Sequence, residues 1–289
     1  MNRAVGNQMI TGFGQLTIGL LGPLSARLHG QELAPNAAKQ RQILALLALN
    51  AGQVVTITTL IEELWGDDPP RSYATTLQTY VLQLRNAVAA AAAGDPSARL
   101  LLGTRHCGYL LEDGACRTDV AEFARLARSG RTAAEAGDQR TAAELLDAAL
   151  GLWRGPALVD VRTGRVLGLE VASLEETRLG ALERRIEADL ALGRHADMLG
   201  ELTLTVARNP MNENLCAFLM IALYRSGHVG RSLEAFHRLR SVLQGELGVE
   251  PCPRLQRLHA AILAGDPALE SAGWTAWTRR PGAAPSAAH

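Results

Sequence analysis

The feature that most constrains this chain is a run of helix-patterned segments divided by glycines. Gly193 and Gly227 stand 34 residues apart, the period of tetratricopeptide (TPR) helix pairs. Three segments align on such a glycine: AGDQRTAAELLDAALGLW on Gly137, LGRHADMLGELTLTVARNP on Gly193 and SGHVGRSLEAFHRLRSVL on Gly227. Five, nine and twelve positions later come Ala142/Leu146/Ala149, Met198/Leu202/Thr205 and Ser232/Phe236/Leu239. Small residues there let paired helices approach, and larger ones fill the interface. Pro210 stands where such a helix ends. The first unit lies 56 residues before the second, so the array is irregular, with an insertion around Arg154 to Gly168. From Asp119 onward the chain therefore reads as all-α and TPR-like. Such arrays present concave binding surfaces and need not catalyse anything. The favoured reading is a protein-binding platform, the other a packed helical regulator that only holds the N-terminal part.

The first third has a different grammar. Residues 15–33 hold short β-like runs broken at Gly22-Pro23 and His29-Gly30, which fits a small antiparallel sheet. In KQRQILALLALNAG (39–52), Ile43, Leu46, Leu47 and Asn50 fall at helical spacing and Gly52 supplies a stop. An extended piece, Val54 to Ile57, leads into TTLIEELWG, where Thr58 or Thr59 is placed to cap a helix that Gly66 ends. Asp67-Asp68-Pro69-Pro70 is a turn. A third helix is expected from Ser72 to about Ala93, ending near Gly94-Asp95-Pro96. RLLLGTRHCGYLLED (99–113) then reads as a hairpin. Strands, three helices and a hairpin in this order describe a winged helix-turn-helix.

The third helix carries the chemistry. Leu77, Val81, Leu84 and Val88 follow i, i+4, i+7, i+11 and form one apolar stripe. Ser72, Thr75, Thr76, Thr79, Gln83 and Asn86 lie opposite. That face is uncharged at its centre and rich in hydrogen-bonding groups, whereas a solvated face more often carries Glu–Lys pairs. Arg85 lies to one side and Arg71 just precedes the helix. Such a face suits base edges in a groove, with arginine reaching phosphate; an ordinary solvated face is the competing reading. At the hairpin tip, Arg105 is placed to enter a minor groove. Tyr109 is placed either to bond a phosphate or to fill the core.

The formal net charge is zero, which by itself counts against nucleic acid, because phosphate neutralisation supplies much of the affinity. The charge is segregated, however. Glu62, Glu63, Asp67 and Asp68 cluster in one segment, whereas Arg71, Arg85, Arg99 and Arg105 meet only Asp95 between residues 71 and 109. Lys39 is the only lysine. Cys107, Cys116, Cys216 and Cys252 make no C-x-x-C pair and the histidines no metal spacing, so neither a metal nor another cofactor is expected. There is no phosphate loop or nucleophile elbow. The paired acids Glu62/Glu63 and Glu175/Glu176 are adjacent in sequence and do not face each other on a helix, so an enzyme is not expected. No run approaches the ~18 apolar residues of a membrane span, and no secretion signal is recognised; a cytoplasmic, nucleoid-associated protein is expected.

The chain resembles the Streptomyces antibiotic regulatory proteins (SARPs). Their N-terminal domain is similar to the OmpR-type DNA-binding domain of response regulators, and their C-terminal part is a bacterial transcriptional activation domain. The resemblance runs from about Gln15 to Leu269. It rests on LGPL (21–24), KQRQILALL (39–47), LIEELWGDDPP (60–70), LQTYVLQLRNAV (77–88), GYLL (108–111), LWRGPAL (152–158), LERRIEADLALGRHA (182–196), ALYRSG (222–227) and LGVEPCPRL (247–255). It implies a transcriptional activator that binds short direct repeats near promoters of antibiotic gene clusters and recruits RNA polymerase; direct repeats in turn favour head-to-tail protomers on the DNA. It places Thr76, Thr79, Tyr80 and Gln83 at the groove, Arg85 on the backbone, Arg105 in the minor groove and Tyr109 on the backbone. The chain departs from the family in two places. Val81-Leu82-Gln83-Leu84-Arg85-Asn86 stands where V-S-R-L-R-R is common, and Thr104-Arg105-His106-Cys107-Gly108-Tyr109 where T-R-P-P-G-Y is. The lost arginines remove contacts worth roughly 1–3 kcal/mol where bidentate, so a lower affinity or an altered site is expected. No receiver domain is recognised ahead of the winged helix.

The expected organisation is a disordered N-terminus (1–14), an α+β winged helix-turn-helix domain (15–113), an all-α TPR-like domain (114–265) and a disordered tail (266–289). A second reading is a TPR-like adaptor whose DNA-binding domain has degenerated. Sequence-specific, salt-dependent DNA binding separates the two.

Overall fold

The computed structural model describes residues 16–92, 101–112, 114 and 116–270. The segments expected at 1–14 and over most of 266–289, and the turn at Gly94-Asp95-Pro96, lie outside these residues. The chain divides into two compact units. The first takes the residues up to Ala127 together with Ala148–Leu179; the second takes Arg128–Asp147 and the residues from Gly180 on.

The first unit runs β1 (Leu16–Gly19), β2 (Ser25–Leu28), β3 (Gln31–Glu32), α1 (Ala38–Leu49), β4 (Val54–Thr56), α2 (Ile57–Trp65), α3 (Tyr73–Ala91), β5 (Leu102–Arg105), β6 (Gly108–Leu111) and β7 (Cys116–Thr118). β2 pairs antiparallel with β1 and β3, reversing at the two sequence breaks. The sheet is not purely antiparallel as expected. β7 joins it parallel to β1, in the order β3-β2-β1-β7, with Leu16 opposite Cys116 and Ile18 opposite Thr118. It satisfies the backbone groups along the outer edge of β1, and three residues are too few to show a periodic signal.

Helix α1 buries seven consecutive residues, Gln42 to Ala48. An element apolar nearly all round belongs in the middle of a core, and α2 and α3 both pack on it. The cap of α2 is Thr56, not Thr58 or Thr59: its Oγ1 accepts from the Thr59 amide at 3.1 Å. Thr56 keeps the extended backbone a cap requires (φ −71°, ψ 155°), so β4 passes directly into the helix. The stripe Leu77, Val81, Leu84 and Val88 is buried as the spacing predicts. The hairpin β5–β6 pairs with β4 in the order β4-β6-β5. Gly108 opens β6 where a Cβ would lie 2.0 Å from the Val55 carbonyl oxygen, so only glycine lets β4 approach this closely.

The segment read as an insertion clasps this fold. Leu158, Val161 and Leu167 join the core of the winged helix. The Arg154 and Leu158 amides donate to the Leu21 and Leu20 carbonyls at 2.8 and 3.1 Å. Asp160 accepts from the Leu24 amide (2.8 Å) and Arg41 (2.5 Å). Glu63 of α2 is 2% exposed and accepts from the Gly164 amide (2.6 Å), the Leu167 amide (2.9 Å) and the Gln42 side chain (3.2 Å).

The remaining elements are α4 (Asp119–Glu135), α5 (Gln139–Leu150), α6 (Arg165–Ala191), α7 (Leu199–Arg208), α8 (Glu213–Arg225), α9 (Val229–Leu247) and α10 (Pro253–Ala264). The first three have residues in both units. Gly137, Gly193 and Gly227 all adopt left-handed backbone, with φ of 85°, 77° and 77°, at the turns on which the segments align. Eight of the nine aligned positions are buried, Thr205 partly. The middle segment departs from its neighbours, because α7 begins only at Leu199 and residues 195–198 form turns. Helix α8 buries Leu215 to Leu223 without interruption and packs against α7, α9 and α10. The buried Ser232 hydroxyl is satisfied by the Met220 carbonyl at 2.9 Å. Residues 266–270, expected to open a disordered tail, are ordered onto the second unit. Pro267–Glu270 forms a 3-10 turn, Leu269 is buried and its carbonyl accepts from Arg225 Nε at 2.8 Å.

Candidate nucleic-acid interface

Helix α3 can offer a face to a ligand because its other face is fully committed to the core. With Leu77, Val81, Leu84 and Val88 inward, the 3.6-residue period turns Thr75, Thr79, Leu82 and Asn86 outward along one line. All four are exposed, as are Ser72, Gln78 and Gln83. The helix has no acidic residue, and its one charge is Arg85. The Thr79 hydroxyl donates to the Thr75 carbonyl at 2.9 Å, leaving its lone pairs to accept. Gln83 accepts a hydrogen bond from the Gln40 amide of α1. Thr76 is partly covered, its hydroxyl 3.4 Å from that of Ser72. Arg71 is exposed in the turn before the helix, with no partner among the described residues.

Two tyrosines are placed inward. Tyr80, which the resemblance sets at the groove or its edge, is partly buried and packs on the core. Tyr109 is a core side chain at 6% exposure, the core-filling option of the two its position allows. Burial follows from β6, whose four residues are all buried between β4 and β5.

Arg85 is not splayed toward solvent. Its Nε donates to the Leu102 carbonyl (2.9 Å) and its Nη2 to the Thr104 hydroxyl (2.8 Å), with the guanidinium 6.0 Å from the Tyr109 ring centroid. It is a strut between α3 and β5, which fixes the wing relative to the helix. At the wing tip Thr104, Arg105, His106 and Cys107 are exposed. Arg105 is held by Glu112 at 2.6 Å, so its guanidinium folds back along its own hairpin.

The sequence reading missed Leu82, at 55% exposure the most exposed large apolar residue of this unit's helix-turn-helix. Its signal was present: it sits off the buried stripe by more than a quarter turn. Gln78 and Gln40 were missed as well, since neither stands out in a polar background. No group of three His, Cys, Asp or Glu side chains placed to hold a metal occurs among the described residues. No described helix is long and apolar enough to cross a membrane. The face of α3 is thus uncharged and rich in hydrogen-bonding groups, and it lies beside the exposed hairpin tip.

Comparison with known proteins gives this surface its context. Residues 30–111 match the family described as "Transcriptional regulatory protein, C terminal", and residues 118–263 the "Bacterial transcriptional activator domain". The chain is 51% identical over 260 residues to "Regulatory protein DnrI" of Streptomyces peucetius, covering 89% of this chain and 96% of that one. It is 38% identical to "Transcriptional regulator RedD" of Streptomyces coelicolor, over 90% of this chain and 75% of the relative. Among solved structures, Mycobacterium tuberculosis EmbR, in complex with a low-affinity phosphopeptide, superposes with a TM-score of 0.82 at 33% identity, covering 91% of this chain and 69% of that one. The match spans both the winged helix and the helical region, so this chain is a transcriptional regulatory protein of the SARP family, with an OmpR-type DNA-binding domain and a bacterial transcriptional activator domain, and not an enzyme.

Proposed function

We propose that the chain is a pathway-specific activator of an antibiotic or other secondary-metabolite gene cluster, acting in the cytoplasm on nucleoid DNA. It binds short direct repeats at promoters as head-to-tail protomers and brings RNA polymerase to them through its helical region. The α3 face enters a major groove, with Thr75, Thr76, Thr79 and Gln83 at base edges. Arg71 neutralises a phosphate, and Arg105 exchanges Glu112 for the adjacent minor groove. Arg85 and Tyr109 act from behind, by holding the wing in place. The observation that carries this reading is the exposed face of α3. It is free of carboxylates, lined with hydrogen-bonding side chains and flanked by the wing. Similarity over nearly the whole length of the Streptomyces peucetius regulatory protein supports the regulatory role.

The test is selection of bound fragments from sheared genomic DNA at near-physiological salt, with the wild type and the Arg85→Ala/Arg105→Ala variant. The expected result is a direct-repeat motif enriched by the wild type and lost in the variant. Absence of any motif with the wild type refutes the proposal and favours a protein-binding adaptor.

A further inference from the structure

On the α3 face just described, one residue cannot take part in hydrogen-bonded readout. Leu82 is 55% exposed and lies in line with Thr75 and Thr79 on one side and Asn86 on the other, at i, i+4, i+7 and i+11. It belongs to no core, and it is absent from the side chains packed against the winged-helix cluster. A branched apolar side chain at the centre of an otherwise polar, uncharged stripe leaves water ordered against it in the free protein. If that stripe lies in a major groove, only one group on the base edges is apolar: the C5-methyl of thymine. The polar residues one turn to either side offer donors and acceptors to flanking bases, so the leucine would be centred over one base pair.

Resting on the reading of α3 as the groove helix, we propose that Leu82 is a specificity-determining residue that packs on a thymine methyl within each repeat. The contact selects T over C at that position without a hydrogen bond. Its strength follows from the one methyl group it covers, about four-fold in affinity by the usual value for a buried methylene-sized group.

The experiment takes the site selected by the full chain and replaces thymine by deoxyuridine one position at a time. This removes the methyl and leaves the hydrogen-bonding edge intact. Binding is measured for the wild type, Leu82→Ser and Leu82→Met. Leu82 is largely in solvent, so Leu82→Ser folds as the wild type does, which circular dichroism checks. The expected result is one position per repeat where uracil weakens the wild type about four-fold. That loss is absent in Leu82→Ser and restored in Leu82→Met. A bound site at which no uracil position distinguishes wild type from Leu82→Ser overturns the leucine contact and leaves the DNA-binding reading standing. Failure of the wild type to select any site overturns both.

Discussion

Glu63→Ala is the sharpest test of how the clasp is held. The Glu63 carboxylate is buried in α2 and receives three donors: the Gly164 and Leu167 amides, at the first turn of α6, and the Gln42 side chain. The first amides of a helix have no partner within it, so this carboxylate does the work of a capping residue delivered from another element. Alanine orphans both amides at about 1.5 kcal/mol each and removes the Gln42 bond at about 1 kcal/mol. Recovery of the carboxylate's desolvation cost offsets part of this. The predicted loss is about 3 kcal/mol, and Glu63→Gln, which keeps one acceptor oxygen, loses about half as much. The assay is urea unfolding followed by tryptophan fluorescence, with Trp65 and Trp153 both in the first unit. A shift in midpoint at constant slope reports stability alone. The reasoning is refuted if Glu63→Ala unfolds within about 0.5 kcal/mol of the wild type, the range of an ordinary surface change.

Four further outcomes are expected. Glu112→Gln releases Arg105 from its pair and raises DNA affinity by up to about five-fold, since an exposed pair is worth at most ~1 kcal/mol; an unchanged affinity in fluorescence anisotropy contradicts this. Arg71→Ala weakens binding evenly across sequences and lowers the slope of log K against log salt by about 1, which a salt titration on specific and random duplexes measures. Among the thiols, exposed Cys107 is alkylated in the native protein, whereas Cys216, whose pKa burial raises to about 12, reacts only on unfolding; mass spectrometry of a timed alkylation distinguishes them. Below pH 6.5 the second unit loses stability through His259. Burial against Phe236, together with His237 and Arg240, holds its pKa below the usual histidine value, so the unfolded state takes up the proton first. His259→Phe flattens that acid limb in thermal melts, and a parallel fall in both proteins contradicts the assignment.

Much of this fold is legible in local pattern. The stripe Leu77–Val88 gives the orientation of α3, and the glycines at 137, 193 and 227 give the helix-pair turns, because both signals repeat within one or two turns of chain. What escapes the sequence is set by partners far away. β7 is three residues long and gains meaning only beside β1, a hundred residues earlier. Glu63 reads as one of a surface acidic pair until α6 supplies two amides. The segment 154–168 reads as an irregular insertion because its apolar residues bury themselves on the winged helix, not on each other. At the candidate interface, spacing gives the outward residues, Leu82 included, but not that Arg85 is bound to the wing or that Tyr109 is in the core. Those are facts about which side chain reaches which neighbour.

The central claim is that α3 occupies a major groove while the wing tip lies over the adjacent minor groove. Dimethyl sulfate protection of the selected site tests both at once, since it modifies guanine N7 in the major groove and adenine N3 in the minor groove. N7 protection is expected within each repeat, lost in Gln83→Ala/Asn86→Ala, and N3 protection beside it, lost in Arg105→Ala. A tightly bound site with guanine N7 fully reactive throughout would contradict it.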